Sequence, residues 1–262
     1  MALPVVRVPR VLWRSPGVTH GARAIPEETA IAFTYNATTY AVMMATPQDL
    51  QDLAVGFSLT EGVVSHADAI RELEIVETEL GLELRMWLGE AEAATLTSRR
   101  RQHAGPTAEA MRPPSPVGTG HSFTRDQIMT AVGSLAPAQA LNQETRAVHA
   151  AAFWEPARGL VGLREDVGRH NPLDKLAGAL ARSQHSAAQG VLLLTSRVSV
   201  EMVQKAAAIG VPVIVAVLAP TALALQMAEA AGITLVAIAR SDGFEVFTHP
   251  HRVQEERATH AA

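Results

Sequence analysis

The segment "REDVGRHNPLDK" at residues 164–175 places Arg164, Glu165, Asp166, Arg169, His170, Asp174 and Lys175 within twelve positions of a chain that is only 18% charged. Such a set can do acid–base work, bind an anion, or satisfy itself. Asn171 suits a helix N-cap, Pro172 the first helical position and Asp174 the first turn. "PLDKLAGALARS" then continues as an amphipathic helix, and Gly168 permits a tight approach before it. The loop therefore delivers its charges to a helix N-terminus, where free N–H groups and partial positive charge favour an anion. One alternative is a capping network in which Asp166, Arg169 and His170 satisfy one another. Another is a small-molecule hydrolase using Asp166 and His170 as acid and base.

A second group follows the apolar run "GVLLLTS" (190–196). Thr195, Ser196, Arg197 and Ser199 stand where a strand gives way to a helix, and Pro220 and Thr221 repeat the arrangement after the next strand. In an open α/β sheet the ligand crevice lies at the carboxyl ends of the strands. Hydroxyls and one guanidinium there suit a phosphate or diphosphate, with ordinary Ser/Thr capping as the alternative. No Walker or dinucleotide fingerprint accompanies them. His149, in "RAVHAAAFW", reads as a core histidine satisfied inside an apolar stretch, because no companion stands at metal-ligand spacing.

The chain contains no cysteine. That removes disulfides, thiolate metal sites and every thiol mechanism. A zinc deaminase is excluded in its known form, since Ala150 and Ala151 follow His149 and the paired cysteines are absent. No G-x-S-x-G elbow is present. A net charge of −4 gives no bulk attraction to nucleic acid, and Arg99–Arg101 reads as a solvated loop edge. "VPVIVAVLA" (211–219) is too short to span a bilayer. The N-terminus lacks the apolar run of a signal peptide, so no membrane association and a cytoplasmic location are expected.

These groups need a scaffold. The Pro- and Gly-rich segment 102–121 divides the chain into an N-terminal α+β part (1–101) and a C-terminal α/β part (122–255). "TAIAFTYN" and "TYAVMMAT" form a hairpin around Asn36–Thr38. A helix is expected within 45–64, capped by Thr46, opened by Pro47, and apolar at Leu50, Leu53, Ala54 and Phe57. "IVETELGLELRMWL" reads as a second hairpin turning near Gly81, with a helix as the alternative. In the C-terminal part, strands at 190–196, 211–219 and 233–239 alternate with helices at 198–210 and 220–232. Gly210 and Gly232 close these helices, and a last strand lies at 244–249. That alternation predicts a largely parallel, buried sheet.

"TPQDLQDLAVGFSLTEGVV", "REDVGRHNPLDK", "SRVSVEMVQKAA" and "LAPTALALQMAEAAGITLVAIAR" together resemble the formate dehydrogenase accessory protein family, the FdhD sulfur carriers. The resemblance covers about residues 25–250. It implies a cytidine deaminase-like α/β/α C-terminal domain with a smaller β-rich α+β N-terminal part, and a homodimer. It also implies a sulfurtransferase-like role: sulfur passes, as a cysteine persulfide, from a cysteine desulfurase to the molybdenum bis(molybdopterin guanine dinucleotide) cofactor before insertion into formate dehydrogenase. The cofactor is bound cargo, and it fits the anion-binding strand ends at Thr195, Ser196, Arg197, Ser199, Pro220 and Thr221. Ile238, Ala239, Arg240, Ser241, Asp242 and Gly243 resemble the family's cofactor-contacting segment. Glu165, Asp166, Gly168, Arg169, His170, Asn171, Asp174 and Lys175 would form a fixed wall beside the site and part of the dimer contact. The family's C-x-x-C follows a basic run. Here the matching stretch, 98–117, has it replaced near Gly105, Pro106, Thr107 and Ala108. Ser196 also stands where the family tends to have glycine. Without a thiolate no persulfide forms on this chain. The alternative is thus a cysteine-less paralogue that binds or delivers the cofactor without sulfur transfer.

Overall fold

The computed structural model describes residues 3–94, 96, 114–118 and 120–255. The basic run Arg99–Arg101, most of the 102–121 segment and the Gly105–Ala108 positions lie outside the described residues.

Two antiparallel hairpins build the N-terminal sheet. β3 (Thr29–Tyr35) and β4 (Thr38–Ala45) are joined through Asn36 and Ala37, both at positive φ, the turn geometry that matches strand twist. β5 (Ile70–Thr78) and β6 (Gly81–Leu88) form the second hairpin, settling the strand-or-helix alternative. β3 and β6 then pair in parallel, giving the order β4-β3-β6-β5. Alternation along β3 and β6 buries Ile31, Phe33, Tyr35, Leu82, Leu84 and Met86 on one face. Helix α1 (Leu50–Thr60) covers that face with Leu53, Ala54 and Phe57, and the Phe33 and Phe57 rings lie 4.1 Å apart. The expected start of this helix is corrected. It begins at Leu50, behind Asp49 at φ 54, because Thr46 is buried and committed elsewhere, as shown below.

The C-terminal sheet has six strands: β8 (His149–Glu155), β9 (Gly159–Asp166), β10 (Val191–Leu194), β11 (Val213–Ala216), β12 (Thr234–Arg240) and β13 (Gly243–Val246). Their order is β13-β12-β11-β10-β8-β9. Only β10/β11 and β11/β12 are parallel, so the expected largely parallel sheet is in fact mixed. The β8–β9 hairpin on one side and the β12–β13 hairpin on the other supply the antiparallel pairings. "VLLL" and "VIVA" are buried at every position because helices cover both faces. On one side α4 (Asn171–Arg182), α5 (Val200–Ala208) and α6 (Ala222–Ala230) bring Leu173, Leu176, Met202, Val203 and Met227 onto Leu192, Leu194, Ile214 and Leu235. On the other, α2 (Arg125–Ala138) brings Ile128, Ala131 and Leu135 onto Val191, Leu193, Val213 and Val236. A capping box opens α2: Thr124 Oγ1 accepts from Gln127 N at 3.2 Å, and Gln127 Oε1 accepts from Thr124 N at 2.9 Å. A short helix, α3 (Ala140–Thr145), follows it. β7 (Phe123–Thr124) pairs with β14 (Val253–Gln254), and Val117 N donates to Ala231 O at 2.9 Å, which holds the end of the 102–121 segment against α6.

The two sheets meet through α1 and α4. A Cβ on Gly56 would collide with the Asp174 carbonyl oxygen, and a Cβ on Gly178 with that of Asp52. Only glycine lets the two backbones approach this closely. Ahead of all this, β1 (Val5–Arg14) and β2 (Gly17–Pro26) form a hairpin that, among the described residues, pairs only with itself. Its base rests on α3, where Arg23 donates to Thr145 O at 3.1 Å. No helix among the described residues is long and apolar enough to cross a membrane.

Candidate functional site

The charged loop is a stitch between the two sheets. Asp166 and Lys175 form an ion pair at 2.6 Å with neither side chain exposed. Asp166 also accepts from Thr46 N at 3.0 Å, Gly168 N at 2.9 Å and Asn171 Nδ2 at 2.8 Å. Lys175 Nζ donates to Thr46 O at 3.0 Å, and Thr46 Oγ1 accepts from Val167 N at 3.2 Å. Thr46 therefore spends its polar groups on the partner sheet and has none left to cap α1. Asn171 is likewise not the N-cap. It is already helical, and its amide bridges Met44 O and Asp166. Arg164 binds the Asp52 carboxylate of α1 through both Nε (2.9 Å) and Nη2 (2.7 Å), and Arg182 reaches the same carboxylate. Asp174 pairs with Lys205 at 2.9 Å and accepts from Thr60 Oγ1. Burial works against the Lys205 ammonium, but Asp174 and Glu61 outweigh it and hold its pKa above the usual lysine value. Burial pushes Lys175 below its usual value, against the pull of Asp166.

This network removes the hydrolase alternative. Asp166 is fully enclosed and committed to four partners, and among the described residues it has no hydrogen bond to His170. His170 lies half-buried 4.0 Å from Glu201, and burial followed by the Arg169 charge keeps its imidazole below the usual pKa. Arg169 is exposed.

Glu165 links the stitch to a cavity. Its carboxylate accepts from Leu141 N and Asn142 N, both at 2.8 Å, at the start of α3. Burial raises the Glu165 pKa despite these bonds. Gln139 and Asn142 beside it line a cavity of about 900 Å³ at the carboxyl ends of β10, β11 and β12. Met129, Val132 and Leu135 of α2 form an apolar wall, while Thr195, Arg240, Ser241 and Asp126 supply polar groups. A wall of that kind with few convergent polar groups is the usual make-up of a small-molecule site.

Of the strand-end residues singled out from sequence, Thr195, Ala239, Arg240 and Ser241 line this cavity. Thr195 Oγ1 accepts from Ala150 N at 2.8 Å. Ile238 sits at φ 54, a left-handed conformation rare for a β-branched residue, inside a bulge between Ala237 and Arg240. That bulge interrupts the ladder with β13, which resumes at Arg240 opposite Gly243, and Ala239–Ser241 stand at the cavity. Asp242 follows in the turn, and Gly243 opens β13. Ser196, Arg197, Ser199, Pro220 and Thr221 lie on the neighbouring loops and do not line the cavity. Ser196 Oγ donates to Arg197 O, Thr221 Oγ1 caps α6 through Ala224 N, and Val198 bridges Pro220. Arg197 is exposed, and Ser199 precedes α5.

His149 is a residue the sequence reading misplaced. It is not a satisfied core histidine. It lines the cavity, and its ring makes no hydrogen bond among the described residues. Burial, then the Arg169 charge, holds its imidazole below the usual pKa, so it is neutral near pH 7 and free to donate or accept. The signal was its position at the start of a strand facing Asp166 in the ladder.

A model described as the FdhD/NarQ family matches residues 26–254. The sulfur carrier protein FdhD of Agrobacterium fabrum is 48% identical over 258 residues, covering 94% of this chain and 95% of that protein. The protein of the same name from Brucella abortus biovar 1 is 49% identical over 254 residues, covering 92% and 94%. The structure is similar to a crystal structure described as that of a formate dehydrogenase accessory protein from Desulfotalea psychrophila, with a TM-score of 0.79 and 26% identity over 95% of this chain and 99% of the other.

Proposed function

The chain belongs to the FdhD/NarQ family, and we propose that it serves formate dehydrogenase as an accessory protein of the sulfur-carrier kind, with the molybdenum bis(molybdopterin guanine dinucleotide) cofactor as its cargo. The observation that carries the cargo reading is the cavity of about 900 Å³ on which Thr195, Ala239, Arg240 and Ser241 converge. It lies where an α/β sheet offers ligand sites. Arg240 would take phosphate oxygens through charge-assisted bonds, and the α2 wall would take a flat heteroaromatic ring. The hairpin-first order β9-β8-β10-β11-β12, with α2 on one face and α4–α6 on the other, supports a cytidine deaminase-like layer. Work in the cytoplasm, as a homodimer, with a cysteine desulfurase upstream completes the reading.

One fact divides this role into two. The chain has no cysteine, so the persulfide step has no nucleophile on it. That favours, as a second reading, a member that holds or delivers the cargo while sulfur travels on another protein. Three measurements test both. Titration calorimetry with GDP against ADP should show GDP preference, and Arg240→Ala should weaken binding about 10- to 100-fold, the worth of one charge-assisted bond. No heat with GDP at millimolar concentration, or no loss in Arg240→Ala, overturns the cargo site. After incubation with a cysteine desulfurase and cysteine, protein-bound sulfane sulfur should equal a no-protein blank. If the unaltered chain nevertheless restores formate dehydrogenase activity in cells lacking their own family member, delivery rather than carriage is its role.

A further inference from the structure

The strand-end cavity has two chemically different ends. At the β12 end stand Arg240 and Ser241. At the β8 end stand Gln139, Asn142 and His149, three polar side chains that carry no charge near pH 7. β10 and β11 lie between β8 and β12, so the ends are three strand spacings, about 14 Å, apart. Helix α2 crosses the same span, packing on β12, β10, β8 and β9. Its C-terminal end is the one beside β9, where Glu165 accepts from Leu141 N and Asn142 N. Asp126, the one carboxylate lining the cavity among the described residues, is in the first turn of α2, about 20 Å of helix from Gln139.

Two features of the cavity wall have no use in the fold itself. Gln139 is only 6% exposed, yet its side-chain amide, like that of Asn142 and the His149 ring, makes no hydrogen bond with a described residue. A buried amide calls for a partner, and the open side of these three groups is the cavity. The second feature is Gly133. It lies in the interior of α2, where glycine weakens a helix relative to alanine, and a Cβ built on it meets nothing within 4 Å. No neighbour demands a glycine there. It shares a helix face with Met129, Thr130 and Ala136, all of which line the cavity, so its missing side chain leaves that wall bare. We propose that the β8 end is a ring-reading subsite: a flat heterocycle lies on the bare Gly133 surface and presents a 2-amino-4-oxopyrimidine edge to Gln139, Asn142 and His149, while a phosphate reaches Arg240. This rests on the cargo reading above and names the residues that choose its ring. The edge is common to guanine and to a pterin. It offers three adjacent groups, one oxygen that accepts and two nitrogens that donate. Hypoxanthine lacks the 2-amino group and adenine offers only two such groups, so either leaves a buried polar group of the chain unpaired.

The test is titration calorimetry on the full chain with GDP, IDP, 6-hydroxymethylpterin diphosphate and inorganic pyrophosphate. GDP should bind at least about tenfold more tightly than IDP, the worth of one buried group left unpaired. Gln139→Leu and His149→Phe should each shrink that ratio while leaving pyrophosphate affinity as in the wild type. Gly133→Leu should weaken GDP at least about tenfold, spare pyrophosphate and raise the thermal midpoint, because leucine is the better helix former. Tighter binding of GDP than of the pterin diphosphate assigns the end to guanine, and the reverse order assigns it to the pterin ring. Equal affinity of the wild type for GDP and IDP overturns the subsite and leaves the cargo reading standing. A GDP preference that survives in both Gln139→Leu and His149→Phe does the same, as does a Gly133→Leu variant that loses stability and keeps its GDP affinity. No heat with either GDP or the pterin diphosphate overturns the subsite and the cargo reading together.

Discussion

Lys175→Met probes whether the charged loop holds the two sheets together. Lys175 Nζ lies 2.6 Å from Asp166 Oδ2, 3.0 Å from Thr46 O and 3.4 Å from Glu165 O. Methionine keeps the apolar stem and removes all three contacts. Removing one partner of a buried ion pair costs about 3–5 kcal/mol, because the remaining charge is stranded. Three donors stay on Asp166, from Thr46, Gly168 and Asn171, and they place the loss near the lower bound, about 3 kcal/mol. In a chain of this size that lowers the thermal midpoint by about 6–12 °C. Urea unfolding followed by circular dichroism measures it directly. Arg7→Ala, which breaks an exposed 3.4 Å pair with Glu144, is the control and should cost under about 0.5 kcal/mol. A loss in Lys175→Met no larger than the control's would refute the reasoning, for it would mean that Asp166 carries no buried charge.

Gly178→Ala should separate α1 from α4 and destabilise the chain by about 1–3 kcal/mol; unfolding at the wild-type urea midpoint would show that the helices do not touch as described. The His149 pKa in the folded chain lies below the usual 6.5. Its neutral form is therefore the one folding accepts, its cost is absent above pH 6.5, and stability is lost as pH falls from there. The drop in thermal midpoint between pH 7.5 and pH 5.5 should shrink in His149→Gln, and an unchanged drop would place His149 in open solvent.

The strands that sequence located best are those whose composition is most one-sided. "VIVA" and "VLLL" are β-branched or apolar throughout, and Asn36 and Gly81, both at positive φ, are residue types suited to turns. The β8 strand escaped because "HAAAFWE" is alanine-rich, and alanine has no preference for a pleated surface. Helix α2, and with it one wall of the cavity, was missed, although its capping box at Thr124 and Gln127 is legible in principle. Of the candidate site, Thr195 is legible from its position at a strand end and Arg240 from the family resemblance of the segment 238–243. His149, Gln139 and Asn142 are not, since the groups that set their surroundings come from other elements. The charged loop misled for the same reason. It was read as delivering charge to a ligand, while the partners that consume most of that charge, Thr46, Asp52 and Thr60, are more than a hundred positions away.

That separation shapes the order in which the chain can fold. Thr46 and Asp166 are 120 residues apart, Asp52 and Arg164 112, Thr46 and Lys175 129, and Asp52 and Arg182 130. The β3–β4 and β5–β6 hairpins close locally, but α1 cannot bind its helical partner until the segment 164–182 has been synthesised. At about 5–20 residues per second, the N-terminal sheet waits several seconds on the ribosome with Asp52 and the Gly56 face of α1 uncovered. Such long-range closure is slow in any case, because loop entropy must be overcome before the contacts reward it. The nascent N-terminal half is thus the stage at which this protein is most open to chaperones, to proteases and to pairing with the wrong neighbour.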